Sequence, residues 1–150
     1  MNSLLLKTAA KVWLVETLVS GFNFSVLMGM IYEPRWGPLI SHQIGMTTRI
    51  AYIFVFAFLL LRYVKTYSTR DLVHVGILWL GLELIFEWGG SLATGRPVSE
   101  ILIGWNVLAG YIWPFVLLTY ASSNLVVGLL LHPGKPETAP SKGGAGRETQ

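Results

Sequence analysis

The sequence predicts an all-α fold, a polytopic membrane protein of four transmembrane helices with both termini in the cytoplasm. Composition is the first reason: 53% of the 150 residues are hydrophobic and only 13% are charged. A soluble domain carries about a quarter of its residues as charged groups. Mean hydropathy is +0.56 over the chain. The second reason is distribution, because the apolar residues fall in four long blocks rather than short periodic stripes. The third is the placement of lysine and arginine at the ends of those blocks.

The first span is expected at about residues 12–32, ending at the breaker sequence Glu33-Pro34-Arg35-Trp36-Gly37-Pro38. It is a full span with no small-x-small cleavage site after it, so it reads as retained rather than as a secretory signal. The second, 46–67, centres on the apolar run from Ile50 to Leu61. That run rises only about 18 Å as a helix, so the span extends outward to cross the bilayer. Arg49 is thereby placed about a turn from the outer membrane end. The third, 72–94, closes at Gly89-Gly90 and the turn Thr94-Gly95-Arg96-Pro97. The fourth, 101–131, is too long for an upright crossing and contains Pro114, so it tilts, kinks or begins as an interfacial segment. Residues 132–150 are rich in Pro, Gly, Lys and Glu and read as a disordered cytoplasmic tail.

Orientation follows from the basic residues. Lys7, Lys11, Arg62, Lys65, Arg70, Lys135, Lys142 and Arg147 fall on one side, and Arg35, Arg49 and Arg96 on the other. The richer side is cytoplasmic. The net charge of +3 sits at segment ends, so it reports topology and gives no reason to expect a nucleic-acid partner.

Helices in lipid associate through small residues and buried polar groups. Gly21, Ser25 and Gly29 form a small-residue stripe on span one, and Gly76, Leu80, Glu83, Glu87 and Gly90 form a seam on span three. Span two is almost wholly large and apolar between its arginines, so most of it is expected to face lipid. Spans one, three and four would then surround a polar seam, closed within one chain or between chains.

Glu83 and Glu87 are the costliest residues. Four apart on one helix, they share a face. Two central carboxylates cost roughly 5–7 kcal/mol, and about ten large apolar side chains return roughly 3–6 kcal/mol, so the helix needs its acids protonated or paired. Arg49 is the expected partner of Glu87, with Arg96, Arg35 and Glu33 as competitors in the adjoining loops. Glu83 lies deeper, has no evident cation and reads as a titrating or ligand-facing acid. Glu16, placed one turn into span one, is expected to snorkel to the inner interface. Asn23 and Asn106 are candidates to hydrogen-bond the seam.

Enzyme motifs fail on inventory. Cysteine is absent, and Asp71 is the only aspartate, which argues against transferases holding two metals on several aspartates. There is no G-x-S-x-G elbow, phosphate-binding loop, HExxH or ExxH pair. His74 and His132 are too shallow for a haem pair. Met28, Met30, His42 and Met46 read as packing and interface residues rather than copper ligands. No catalytic residue, metal or cofactor is therefore assigned.

Ser41-His42-Gln43-Ile44-Gly45, the stretch from Trp79 through Glu87, and Gly95-Arg96 resemble a pattern in small bacterial four-helix inner-membrane proteins with no assigned activity. The resemblance spans most of Pro34 to Leu118 and implies a bacterial inner-membrane location, carrying no catalytic residues with it. The expected function is binding or movement of a cation, proton or small polar solute in an outward-facing cleft lined by Glu83, Glu87, Arg49 and Asn106. The alternatives are an accessory subunit of a larger membrane complex, and an enzyme using the two glutamates as acid and base on a lipid-like substrate. The expected partners are the bilayer and either further copies of the chain or partner membrane subunits.

Overall fold

The structure, a computed structural model, describes residues 3–131; the expected tail at 132–150 lies outside the described residues. Those residues form helices and connecting turns: α1 (Ser3–Phe22), a π-helical continuation (Asn23–Tyr32), α2 (Glu33–Val64), α3 (Thr69–Ala93), α4 (Val98–Ile101), two 3₁₀ turns (Leu102–Trp105 and Val107–Ala109) and α5 (Trp113–Leu131). Three helical stretches are long and apolar enough to cross a bilayer: Ser3–Val64, Thr69–Ala93 and Trp113–Leu131.

The first of these, 62 residues long, folds back on itself. Gly37 has φ 81° and ψ 169°, a backbone region open essentially to glycine alone, and Pro38 follows it. Beyond this point the chain runs antiparallel to α1. Ser41 Oγ donates to the Met28 carbonyl at 2.9 Å, and Asn23 Nδ2 to the Gly45 carbonyl at 3.0 Å. The expected breaker sequence is therefore the site of reversal, although helical hydrogen bonding continues almost through it.

Lys65, in the left-handed conformation, closes α2. Ser68 then opens α3 with a capping box: its Oγ accepts from the Asp71 N–H, and its own N–H donates to Asp71 Oδ2, both at 3.2 Å. The expected fourth span divides. Residues 98–112 form short helical turns, and the long helix starts only at Trp113. Pro114 thus stands in the first turn of α5, where its missing N–H leaves no helical bond unmade, and does not kink a longer helix.

α1 packs antiparallel to α2 and parallel to α3, and α5 packs antiparallel to α3 and parallel to α2, so α2 and α3 stand diagonally across the bundle. Trp79 Nε1 on α3 donates to the Ala9 carbonyl on α1 at 2.9 Å. Gly76 sits so close to α5 that a Cβ there would lie 2.1 Å from the Ala121 carbonyl oxygen. Leu72 fills the space over Gly128 in the same interface. Of span two, expected to face lipid over most of its surface, one stripe of Ile53, Ala57, Leu60 and Leu61 is buried against neighbouring helices, while the other residues between Arg49 and Arg62 are partly or fully exposed. The stripe Gly21, Ser25 and Gly29 is exposed, with no other element among the described residues near Gly21 or Gly29. The close approach between α2 and the first segment comes instead at Gly45, against Met28. Large apolar side chains cover the outside, among them Leu18, Phe22, Val55, Ile77, Ile85, Leu118 and Leu130. A surface of this kind is compatible with contact to lipid or to other protein.

Candidate functional site: a buried acid, arginine and tyrosine cluster

At the centre of the helices, α1, α2, α3 and α5 each contribute one chemically active side chain to a single cluster. Glu16, Arg49, Glu83 and Tyr120 are 0%, 7%, 1% and 0% exposed. Arg49 Nη2 donates to Glu83 Oε1 at 2.9 Å and to the Tyr120 hydroxyl at 2.7 Å. Its Nε lies 3.5 Å from Glu16 Oε1, an ion pair without a hydrogen bond. Tyr120 in turn donates a short hydrogen bond to Glu16 Oε2. Ser20, one helical turn from Glu16, donates to Glu16 Oε1 at 2.7 Å. With that proton committed, Ser20 accepts from the Tyr52 hydroxyl 2.9 Å away.

Aromatic rings enclose the guanidinium. Its central carbon is 5.1 Å from the centre of the Trp113 ring and 5.4 Å from that of Tyr120. Both contacts are within cation–π range, which is stronger in a desolvated setting than at a surface. Trp113 stands at the start of α5, so the late helix start also delivers this ring to the cluster.

The sequence suggests Glu87 as the partner of Arg49, and the structure corrects this to Glu83. Glu87 lies a turn farther along α3, half-buried, and accepts from Trp105 Nε1 at 3.3 Å. Glu16 is also corrected: the expected snorkelling acid is fully buried within the cluster. Asn106 is exposed and away from the seam, its side chain accepting from the Ala109 N–H at 3.1 Å as the cap of a 3₁₀ turn. Asn23 holds the α1–α2 reversal together rather than meeting the glutamates. The expected open cleft is closed, since Glu83 and Arg49 are enclosed by protein.

The charges do not balance within the cluster. One guanidinium faces two carboxylates, and Glu87 adds a third acid nearby. Glu83 Oε2 and Glu87 Oε2 are buried and make no hydrogen bond of ordinary geometry; the donors nearest the two carboxyls are the indole N–H groups of Trp13 and Trp113, themselves otherwise unpaired. Unpaired buried acceptors are costly, so such atoms suit a proton or a small cation. Among the described residues, no group of three or more His, Asp or Glu side chains is arranged to hold a metal ion.

The SHQIG motif has a structural role at every position but one. Ser41 ties the reversal, and Gly45 admits Met28. His42 Nε2 accepts from the Ile112 N–H at 3.2 Å, and Gln43 donates to the Gly110 carbonyl at 3.0 Å. The middle pair therefore docks the 98–112 segment beside Trp105 and Glu87. Sequence reasoning overlooks Tyr120 and Ser20. A tyrosine in mid-block, far from either aromatic belt, and a serine four residues after Glu16 are the signals that mark them. No family model matches the chain, and neither does any curated protein or solved structure.

Proposed function

We propose that this chain is a four-span bacterial inner-membrane protein with both termini inside, which binds and moves a proton or small cation through the buried cluster. One observation carries the reading: two carboxylates contact a single guanidinium in a closed interior, and a further acid lies one turn away. Glu16 accepts two hydroxyl hydrogen bonds and faces the Arg49 guanidinium, so both of its oxygens already have partners. Glu83 gives one oxygen to Arg49, and its other oxygen makes no hydrogen bond of ordinary geometry, the Trp13 indole N–H being its neighbour. Glu83 Oε2 is the atom assigned to take up the proton or cation, and Glu87, beneath Trp105, is the outer approach to it. Buried acids within membrane helices are commonly parts of such relays.

The test is ion flux into proteoliposomes under a pH or cation gradient, comparing wild type with Glu83→Gln and Glu87→Gln. Flux in wild type that is lost in Glu83→Gln and reduced in Glu87→Gln is the expected result. Flux equal to that of protein-free vesicles, from protein with intact helicity, would overturn the reading.

A second reading is favoured by a separate observation. Gly21, Ser25 and Gly29 form an exposed stripe, and among the described residues no other element comes near either glycine, so the stripe can pack against another helix. A further copy of the chain or a partner membrane subunit would fit there, and the cluster would then serve mainly to hold the fold. Native mass spectrometry of gently extracted protein separates the two partners. A homo-oligomer agrees with a carrier, whereas a fixed complex with other proteins makes this an accessory subunit.

A further inference from the structure

A groove of about 250 Å³ runs between α1 and α2 on the outside of the molecule, at the end where α2 finishes. Its wall is almost wholly apolar. Thr8, Lys11 and Tyr63 stand at one end, and Val12, Val15 and Phe56 line the remainder. From Thr8 to Val15 is about 10 Å along the helix, at roughly 1.5 Å per residue. A single leaflet is about 15 Å deep, so the groove covers much of its depth.

Charge at this end is one-sided. Lys7, Lys11, Arg62, Lys65 and Arg70 are all exposed here, and the one acid among the described residues at this end, Asp71, has its carboxylate bonded to Ser68. Arg62 is turned over the Phe58 ring, 5.8 Å from its centre, and with Lys65 borders a different groove beside Leu131. Lys11 is therefore the cation that serves the α1–α2 groove. Thr8 spends its hydroxyl proton on the Leu4 carbonyl, and Lys11, exposed and lining the groove with its alkyl stem, is the cation among the lining residues.

We infer that this groove binds an anionic phospholipid, with an acyl chain along Val12, Val15 and Phe56 and the phosphate at Lys11. The site needs a ligand that is apolar over most of its length and negative at one end, and a phospholipid with an acidic headgroup has that form. A second helix fits poorly, because close helix packing in lipid uses small residues and these walls are built from Val, Leu, Phe and Tyr. Basic residues at such a membrane end attract acidic headgroups through both surface potential and direct contact. The inference is independent of the proton or cation reading, since it uses none of the buried cluster.

The experiment is native mass spectrometry of the full chain in a mild detergent, titrated with phosphatidylglycerol or with phosphatidylcholine of the same acyl chains. Wild type should bind the first phosphatidylglycerol about fivefold more tightly, the effect of one well-placed lysine. Lys11→Gln should remove that preference while leaving phosphatidylcholine binding unchanged. Arg70→Gln removes a charge at the same end but outside the groove, and should keep the preference. Leu59→Trp, which fills the groove from an exposed position, should weaken the first binding of both lipids. The proposal is overturned if Lys11→Gln retains the preference, if Arg70→Gln loses as much as Lys11→Gln, or if Leu59→Trp binds both lipids as wild type does.

Discussion

Replacing Arg49 with methionine keeps the volume of the side chain near its own and removes the charge from the centre of the molecule. The change deletes the bonds to Glu83 at 2.9 Å and Tyr120 at 2.7 Å, and the ion pair to Glu16 at 3.5 Å. Two buried carboxylates then face each other without a cation, and breaking a buried pair in this way costs about 3–5 kcal/mol. Glu83→Gln alone is milder, about 1–3 kcal/mol, because Arg49 and Glu16 still balance one to one. In the absence of Arg49, neutralising Glu83 removes a repulsion rather than an attraction. Arg49→Met/Glu83→Gln should therefore be no less stable than Arg49→Met, giving a coupling at least as large as the Glu83→Gln cost, about 1–3 kcal/mol, between the two sites. Glu87 bonds to Trp105 instead, so its coupling to Arg49 should stay below about 1 kcal/mol. Unfolding in mixed micelles with rising dodecyl sulfate, followed by far-ultraviolet circular dichroism, measures all the corners of both cycles. A larger coupling for Arg49 with Glu87 than with Glu83 would refute the assignment of the pair and the cluster built on it.

Two further outcomes follow from packing and docking. Gly76→Ala should cost about 1–3 kcal/mol in the same unfolding assay, because its Cβ would meet the Ala121 backbone oxygen at 2.1 Å and push α3 from α5. Gly21→Ala, with nothing within 4 Å, should be neutral or gain up to about 1 kcal/mol from helix propensity, and an equal loss at both glycines would contradict the observed packing. His42→Ala removes the acceptor of the Ile112 N–H, and hydrogen exchange should accelerate about tenfold at 110–112 while the amides of mid-α5 stay protected. Unchanged exchange at Ile112 would show that His42 does not dock the 98–112 segment.

The apolar blocks and the sharing of a face by Glu83 and Glu87 are legible in the sequence because each depends on one segment alone. Depth is harder to read, and Glu16 and Arg49 show why. Hydropathy places both within a turn of a membrane end, since the apolar runs begin at about residues 12 and 50. The helices continue past those limits: α1 starts at Ser3, and α2 is already helical through Ser41–Thr48. Both residues consequently lie well inside their helices and level with Glu83, near enough for direct bonds. The fourth segment errs in the opposite direction, because the apolar stretch from Ile101 reads as helix although Pro114 favours a helix start and Gly110 takes φ 92°. A hydropathy limit records where a side chain would be costly to expose to lipid, but it does not register polar residues that face another helix. Ser41 on the Met28 carbonyl, Asn23 on the Gly45 carbonyl and Gln43 on the Gly110 carbonyl are all of that kind. Protein-facing polar residues lengthen a helix beyond its apparent span and shift the apparent centre away from them. The same bias assigns a buried charge such as Arg49 to an edge, so a polar cluster that joins several helices is the feature a span-by-span reading disperses.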